Sequence, residues 1–311
     1  LMPDLLAYFL TGKTAAERTI ASTTGLTDAV TKVWSDELIA RLGFERSLFP
    51  DIIESGESYG VLKKEIAERY GIPQVPVIAV CCHDTASAIF SVPAGGHPLY
   101  LSCGTWSLLG TLTDSPVVTP ESFAANFTNE TGYDKTTRYL KNIMGLWIIN
   151  ECRREWSKAR KLSFSEIVEA AKSVGENKYL IDVDDDVFLK PDDMPEKIRA
   201  YCSEKYDSAP SSVGEIARCV YESLCLKYSR TIAEVSLASG RAYDTFYVVG
   251  GGCKAEYLCQ MIASRCGIKV SAGPVEATAI GNAFVQFIAL GVEKNDDELK
   301  KRIADNFDIK V

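Results

Sequence analysis

Clusters of apolar residues alternate with polar turns along the chain, and their spacing predicts both helices and strands. Residues 3–10 are typical of a helix that has a proline near its start and ends before Gly12. Apolar positions within residues 59–70 recur at helical spacing, which predicts a second helix that ends at Gly71. Helices are therefore expected to open the chain.

Residues 75–82 form a β-branched apolar run, and the small side chains of residues 84–92 follow at once. This order predicts a strand buried on both faces, then a tight turn, then a helix. The next residues, 93–98, read PAGGHP and are the strongest turn signal in the sequence. We therefore expect a domain boundary that separates residues 1–97 from residues 98–311.

The remainder of the chain mixes strands with helices. A hairpin is predicted around Gly104, and most of residues 143–238 is predicted to be helical. The other expected elements are strands at 99–103, 106–112, 245–249 and 268–271, helices at 254–266 and 276–290, and capping boxes at 163–166 and 212–215. Such alternation is typical of an α/β layer architecture.

The composition narrows the class of protein. The 311 residues are 46% hydrophobic, which is enough for a large core and near the size at which cores divide into two domains. Asp and Glu outnumber Lys and Arg by 42 to 34, so the surface offers no basic footprint for nucleic acid. Apolar runs stay well below the roughly 20 residues of a membrane-spanning helix. With no targeting pattern and with scattered cysteines, we expect a cytoplasmic protein that has no membrane partner.

Two isolated features suggest other chemistry only weakly. The acidic run at 182–186 lacks the glycine and the ligand spacing of a calcium loop, which favours a solvated loop over a cation site. Cys81 or Cys82 as a nucleophile would need a base, and the chain has only two histidines. No cysteine or histidine pair has zinc-ligand spacing, so we predict no protein metal site.

Three glycine-containing turns follow predicted strands, at residues 102–107, 250–252 and 273–276. Glycine lets a backbone approach a ligand closely, and exposed N–H groups can hold phosphate oxygens. Each turn alone is more often an ordinary connection, but three of them in one α/β chain favour a nucleotide. Their spacing matches neither the P-loop nor the dinucleotide-binding pattern.

His83 and Asp84 stand where the predicted strand 75–82 gives way to a helix. In α/β folds this position presents functional side chains to ligands. The structural alternative is a helix N-cap, because aspartate is among the best capping residues. His83 alone is no stronger as a signal, since a histidine often bonds a neighbouring carbonyl.

Taken together, these motifs are recognisable. The sequence CHDTASA at 82–88, followed by LSCGTWSLLG at 101–110, closely resembles the rhamnulokinases of the FGGY carbohydrate kinase family. The resemblance continues in the same order through FTNE at 127–130, KNIMGLW at 141–147, VVGGG at 248–252 and GPVEATAIGN at 273–282. The ordered set covers nearly the whole chain and is highly specific, although each piece alone is not.

The resemblance implies an actin-like ATPase fold, in which two ribonuclease-H-like domains close over ATP and a sugar. Residues 1–97 would be the incomplete, sugar-binding first domain, and residues 98–311 the complete nucleotide-binding domain. Asp84 matches the catalytic base that accepts a proton from the sugar hydroxyl, and His83 lies beside it in the sugar site. The positions that match the nucleotide site are Ser102, Gly104, Thr105, Gly250, Gly251, Gly252, Glu276 and Asn282. The implied cofactors are ATP and Mg²⁺.

Other positions depart from the family pattern. Family members begin with a D-x-G-x-[ST] loop that reaches magnesium and the terminal phosphates, and no D-x-G occurs in this chain. Cys253 and Ala255 stand where relatives carry a polar residue and an asparagine, and Thr131 stands where they carry a glycine. These differences affect the expected contacts to the nucleotide and the phosphates.

The implied activity is transfer of the γ-phosphate of ATP to a ketose hydroxyl, with L-rhamnulose giving L-rhamnulose 1-phosphate. A kinase for another deoxy sugar, such as L-fuculose, is the neighbouring alternative. Because it lacks the D-x-G loop, the chain is expected to be inactive alone. A different class stays open, namely a non-catalytic nucleotide-binding fragment, and a complementing amino-terminal segment is the expected partner.

Overall fold

A computed structural model describes residues 1–293 and 296–311 as a mixed α/β protein. Its backbone contacts divide the chain into two compact units. The first unit comprises Leu1–Pro98, Gly110–Leu140 and Glu276–Ile309, and the second comprises Leu99–Leu109, Lys141–Val275 and Lys310–Val311. Each unit is therefore built from segments that are distant in the sequence.

The described residues form helices and strands in alternation. The helices are α1 (Met2–Thr11), α2 (Arg18–Ser22), α3 (Asp36–Arg41), α4 (Lys64–Tyr70), α5 (Asp84–Phe90), α6 (Pro120–Ala124), α7 (Trp147–Ala159), α8 (Phe164–Ser173), α9 (Met194–Tyr206), α10 (Val213–Ser239), α11 (Glu256–Cys266), α12 (Ala277–Ala289) and α13 (Asp296–Asn306). The strands are β1 (Ala16–Glu17), β2 (Ile52–Ile53), β3 (Ser58–Val61), β4 (Pro76–Ile78), β5 (Leu99–Cys103), β6 (Trp106–Thr113), β7 (Thr128–Thr131), β8 (Thr137–Met144), β9 (Thr245–Val249) and β10 (Lys269–Ala272).

One hydrophobic core of the first unit lies where α5 packs against α12. Its buried side chains include Cys81, Ala86, Phe90, Ile280, Val285, Leu299 and Ile303. The two helices approach closely because Gly281 has no side chain, and a Cβ there would lie 1.9 Å from the carbonyl oxygen of Ser87. The helix predicted after residue 84 is confirmed, and it is held in place by a helix from the far end of the sequence.

Two predictions about the first unit are wrong. Residues 59–70 are not one helix, because β3 takes the first of them into an antiparallel pair with β4, and α4 begins only at Lys64. In residues 58–61, pairing with β4, which is a tertiary interaction, overrides the helical spacing of the apolar residues. The strand predicted at 75–82 is limited to β4, and Val75 is 44% exposed, so this segment is not buried on both faces.

The strands of the second unit follow the sequence prediction closely. In the parallel pairing of β5, β9 and β10, Leu101 lies opposite Val248, which in turn lies opposite Ala272. The hairpin around Gly104 is confirmed, since the amide of Gly104 donates to the carbonyl of Trp106 at 2.9 Å. Parallel pairing places the carboxyl ends of β5 and β9 at the same edge, and the glycine turns follow there.

The helical region of the second unit is also confirmed, including both capping boxes. Ser163 caps α8 and Ser212 caps α10, and the Glu three residues later returns a bond to the N-cap amide in each case. Hydrogen bonds from the Ser212 and Ser211 amides and the Ser211 hydroxyl lower the pKa of Glu215 to about 2. Folding therefore stabilises the ionised form of Glu215 at the start of the long helix α10.

This carboxylate gives a pH-dependent prediction. Glu215→Gln should lower the free energy of unfolding at pH 7 by about 0.3–1 kcal/mol, the usual worth of a charge in the first turn of a helix. Since the folded-state pKa lies below the ordinary value of 4.5, the contribution is present above pH 4.5 and is lost as the pH falls through about 2. Urea titrations at several pH values measure this. Glu204→Gln on the exposed end of α9 is the control. If the difference in unfolding free energy between Glu215→Gln and the unaltered chain did not change with pH, the prediction would be contradicted.

The acidic run at 182–186 is a structural element of the second unit. Oδ1 of Asp184 accepts the amide of Met144 at 2.8 Å, and its Oδ2 lies 2.6 Å from Nζ of Lys227. Within residues 1–293 and 296–311, no group of three or more His, Cys, Asp or Glu side chains is placed to hold a metal ion. Over the same residues, no helix is long and apolar enough to cross a membrane.

Candidate active site

The carboxylate of Asp84 stands at the first turn of α5, which begins after the five residues 79–83 that follow the end of β4. The N-cap of this helix is His83, and Asp84 is the first helical residue. Among the residues that the structure describes, Oδ1 of Asp84 accepts hydrogen bonds from its neighbour Thr85 alone, whose amide lies 2.6 Å away, and 77% of the Asp84 side chain is exposed. The hypothesis that Asp84 is simply an N-cap is therefore wrong, and its carboxylate is accessible to a ligand.

Buried Glu17 positions the backbone that leads into this site. Its Oε2 accepts the amide of Cys82 at 3.0 Å and the hydroxyl of Thr19 at 2.6 Å. The Thr19 hydroxyl oxygen in turn accepts the amide of His83 at 3.1 Å. Because Glu17 also caps α2, one carboxylate ties that helix to the segment that carries His83.

A buried ion pair lies against the ring of His83. Arg138 on β8 is fully buried, and its Nη2 lies 2.9 Å from Oε2 of Glu130 on β7. The same Nη2 lies 2.6 Å from Nδ1 of His83. Burial acts to raise the pKa of Glu130, but its polar contacts, the charge of Arg138 among them, outweigh burial, so the pKa is lowered. Glu130 is therefore an anion that offsets the charge of Arg138.

Helix α12 contacts the same helix that carries Asp84. The hydroxyl of Thr278 donates to the carbonyl oxygen of Asp84 at 3.2 Å. Two predicted nucleotide residues belong to this region: Glu276 is the N-cap residue of α12, and Oδ1 of Asn282 accepts from Gln286 at 2.8 Å. Glu276 and Asn282 both belong to the first unit. Neither of them lines the cavity of the second unit that is described in the next paragraph.

The second unit contains a cavity of about 700 Å³. Small-molecule sites usually fall between about 300 and 1,000 Å³. Four predicted nucleotide residues line it together, namely Gly104, Thr105, Gly251 and Gly252, whereas Ser102 and Gly250 stand outside the lining. The other walls include the apolar side chains of Leu146, Ile149, Phe164, Val168, Tyr221 and Leu258 and the polar side chains of Asn150, Glu169, Lys172, Lys254, Glu256, Tyr257 and Gln260.

Close backbone packing requires glycine at position 252, which lines this cavity. A Cβ on Gly252 would lie 2.1 Å from Sγ and 2.8 Å from the carbonyl oxygen of Cys103. Gly250 has a φ of 82°, a conformation that favours glycine. Opposite them, the amides of Gly145 and Leu146 donate to the carbonyls of Thr105 and Gly104. At Gly104, Gly251 and Gly252 the cavity is therefore lined by backbone that carries no side chain.

Tyr257 forms a fixed aromatic wall of the cavity. Its hydroxyl accepts from Nη1 of Arg218 at 2.5 Å, and its ring meets Tyr221 edge-on, with centroids 5.5 Å apart. Nζ of Lys172 lies 5.7 Å from the ring centroid. An aromatic ring held from several sides is suited to contact a planar group, because little rotational freedom is lost on binding.

The two adjacent cysteines do not support nucleophilic chemistry. Burial raises the pKa of both Cys81 and Cys82 to about 12, so both thiols are protonated at neutral pH. The thiolate is the nucleophilic form of cysteine. A cysteine-dependent mechanism is therefore disfavoured.

Comparison with known proteins defines the family. The model of the FGGY carbohydrate kinase C-terminal domain matches residues 99–290, and the model of the N-terminal domain matches residues 1–91. The chain belongs to the FGGY family of carbohydrate kinases. It is 43% identical over 310 residues to a rhamnulokinase of Halalkalibacterium halodurans and 41% identical over 311 residues to one of Bacteroides thetaiotaomicron. All of this chain is covered in both cases, but only 66% and 64% of those relatives.

Solved structures agree on the fold. A gluconate kinase of Lactobacillus acidophilus matches 99% of this chain and 61% of its own, with a TM-score of 0.75 and 16% identity. A Plasmodium falciparum glycerol kinase solved with ADP gives the same coverage and TM-score at 17% identity. The expected actin-like ATPase fold is therefore confirmed.

Sequence reasoning missed three residues of the His83 site. Glu130 was quoted only as part of a motif, and neither Glu17 nor Arg138 was singled out. Glu130 and Arg138 lie directly opposite each other in the antiparallel pairing of β7 with β8. Both strands contain several polar residues, TNET in β7 and TRYLKNIM in β8, so their sequences alone did not mark this pair as buried.

Proposed function

We propose that this chain provides the catalytic base and the nucleotide cavity of an ATP-dependent sugar kinase, which transfers the γ-phosphate to a ketose hydroxyl. The observation that carries the proposal is the exposed carboxylate of Asp84, which accepts from Thr85 and stands beside the ring of His83. The substrate is taken from the rhamnulokinase relatives, so we propose L-rhamnulose as the sugar and L-rhamnulose 1-phosphate as the product. L-Fuculose is the second candidate.

In the proposed mechanism, Asp84 accepts the proton of the attacking sugar hydroxyl. The oxygen of that hydroxyl forms a bond to the γ-phosphorus as the bond to the β-phosphate oxygen breaks, and ADP leaves. His83 lies 3.5 Å from Asp84 through Nε2 and orients the same hydroxyl. Phosphoryl transfer depends on positioning and charge neutralisation, so one oriented carboxylate is enough base for the protein to provide.

The three glycines Gly104, Gly251 and Gly252, together with Thr105, support nucleotide binding in the second unit. Amide groups and glycines allow phosphate oxygens to approach closely, and the apolar and aromatic walls suit a base. Residues 1–97 and 98–311 remain our proposed sugar and nucleotide domains. Magnesium would arrive with the phosphates, because the described side chains offer no cluster of three ligands for it.

Tyr257 tests the base-binding part of this proposal. Tyr257→Ala should weaken ADP binding about 5- to 150-fold, the range that follows from losing one aromatic platform for a base. Tyr257→Phe keeps the ring and should stay close to the unaltered protein. Isothermal calorimetry with ADP and magnesium measures both. Equal ADP affinity of the Ala and Phe variants would remove Tyr257 from the base site.

The activity of the chain itself is a separate prediction. Since no D-x-G sequence occurs in residues 1–311, we expect no measurable phosphorylation of L-rhamnulose by this chain, although it should bind ADP weakly. Adding a complementing amino-terminal segment, taken from the first third of the Halalkalibacterium halodurans relative, should restore turnover. A panel of L-rhamnulose, L-fuculose and other ketoses then separates the sugars. Robust turnover by the chain alone would contradict the prediction, and absence of ADP binding would favour a different function.

A further inference from the structure

The two ring nitrogens of His83 have different polar neighbours. Nδ1 lies 2.6 Å from Nη2 of Arg138. Nε2 lies 3.5 Å from Oδ1 of Asp84. A guanidinium has only N–H donors and stays protonated in proteins, so the nitrogen at 2.6 Å has to accept. The lone pair of Nδ1 therefore faces Arg138, and the ring proton belongs on Nε2.

We propose that Arg138 is a positioning residue that fixes His83 as the neutral tautomer with its proton on Nε2. In this tautomer the ring presents an N–H donor on the side where Asp84 lies. His83 then acts as a donor toward Asp84 or toward a bound hydroxyl, and it does not compete with Asp84 for a proton. Arg138, on the Nδ1 side of the ring, therefore determines that His83 is the donor and Asp84 the base.

A competing arrangement would give the opposite tautomer. Oε2 of Glu130 lies 3.4 Å from Nδ1 of His83, so this carboxylate would accept if Nδ1 carried the proton. The distances favour Arg138, because 2.6 Å is a short hydrogen bond and 3.4 Å is beyond the usual range for N–H···O. A proton on Nδ1 would also point an N–H at an N–H donor. Glu130 instead pairs with Arg138 itself at 2.9 Å.

Arg138 is held rigidly enough to impose this orientation. Its side chain is fully buried, and its Nε donates to the carbonyl oxygen of Thr131 at 3.2 Å. Nη2 is fixed by Glu130 on one side and by His83 on the other. A guanidinium with a planar fork of donors loses little freedom when several bonds form together.

The second histidine provides an internal reference. Nδ1 of His97 lies 2.9 Å from the carbonyl oxygen of Leu112, which can only accept, so Nδ1 carries the proton there. The chain has two histidines, and the structure assigns them opposite tautomers. Both side chains belong to the first unit, and both have a carboxylate 3.5 Å from Nε2, namely Asp84 for His83 and Asp114 for His97.

The test is two-bond ¹⁵N–¹H correlation NMR on the full chain labelled at histidine, recorded near neutral pH. A His97→Gln variant assigns the two rings. We expect a pyrrole-type Nε2 and a pyridine-type Nδ1 for His83, and the reverse for His97. A proton on Nδ1 of His83, or averaging between tautomers, would overturn the proposal without any need for an activity measurement.

Variants then separate Arg138 from Glu130. Arg138→Met removes the donor and should let His83 average between tautomers, while His97 stays unchanged. Arg138→Lys keeps a cationic donor and should restore the Nε2–H pattern. Glu130→Gln should leave the Nε2–H pattern of His83 intact. If His83 in this variant changed to Nδ1–H or averaged between tautomers, Glu130 and not Arg138 would be the residue that fixes the tautomer. The spectrum of the unaltered chain and of Glu130→Gln decides the matter even if Arg138→Met fails to fold.

The tautomer is a property of the chain, whereas its use toward a sugar hydroxyl rests on the proposed function. The two can fail separately. A Nε2–H tautomer in a protein that phosphorylates no sugar would keep the structural assignment and remove the kinase proposal. Kinase activity with a Nδ1–H tautomer would do the reverse.

Discussion

Replacing Asp84 with asparagine, in a protein of the relatives' full length, should lower kcat about 10²- to 10⁴-fold with nearly unchanged stability. Asparagine keeps the shape and volume of the side chain but cannot accept a proton at neutral pH. The side chain is 77% exposed and accepts a hydrogen bond from the neighbouring Thr85, so the substitution should cost the fold little stability. Parallel measurement of kcat and of the thermal midpoint tests both statements.

The chain offers a matched control in Asp114. Its Oδ2 also lies 3.5 Å from Nε2 of a histidine, and its side chain is 81% exposed. Asp114→Asn should leave kcat unchanged, because this pair lies outside the proposed sugar site. Turnover of Asp84→Asn close to that of Asp114→Asn would leave Asp84 without a catalytic role. A large drop in the thermal midpoint would instead mean that the loss of activity came from the fold.

Gly252→Ala should both destabilise the second unit and abolish nucleotide binding. The new Cβ would lie 2.1 Å from Sγ, 2.5 Å from Cβ and 2.8 Å from the carbonyl oxygen of Cys103. Rotation of the Cys103 side chain relieves only the first contact, so the backbone has to move. Overpacking of this kind costs about 1–3 kcal/mol. Urea denaturation gives the stability, and calorimetry with ADP gives the binding.

Gly251 is the control for this substitution. It precedes Gly252 at the same cavity, but a Cβ on Gly251 would meet nothing within 4 Å. Gly251→Ala should therefore keep the stability of the unaltered chain. If Gly252→Ala were equally stable, the packing against Cys103 would not be what requires glycine there. If Gly252→Ala lost stability but bound ADP normally, the glycine turn would be structural and would not form part of the nucleotide site.

Local signals predicted the elements that depend on local interactions. The helix after residue 84, the hairpin around Gly104 and both capping boxes involve residues close together in the sequence. Glycines at strand ends predicted four of the residues that line the cavity, although these residues come from two distant segments. The resemblance to a family supplied the proposed role of Asp84 as a base, which the helix pattern alone could not separate from a cap.

Interactions between distant segments could not be predicted this way. The contact of Arg138 with His83 joins residues 55 positions apart, and nothing in the spacing of either segment indicates it. Residues 59–70 show the same limit, because pairing of β3 with β4 competes with a helical pattern and wins. Tyr257 was missed because its role depends on Arg218 and Tyr221, which come from another helix.

The seating of α5 against α12 has a consequence for synthesis on the ribosome. The bond from Thr278 to Asp84 spans 194 residues, and the close approach of Gly281 to Ser87 spans the same stretch of sequence. At about 5–20 residues per second, the helix that carries Asp84 waits roughly 10–40 s for its packing partner to be translated. During that interval its apolar face, including Phe90, has no α12 to cover it. The apolar face of α5 is therefore open to aggregation until α12 has been translated.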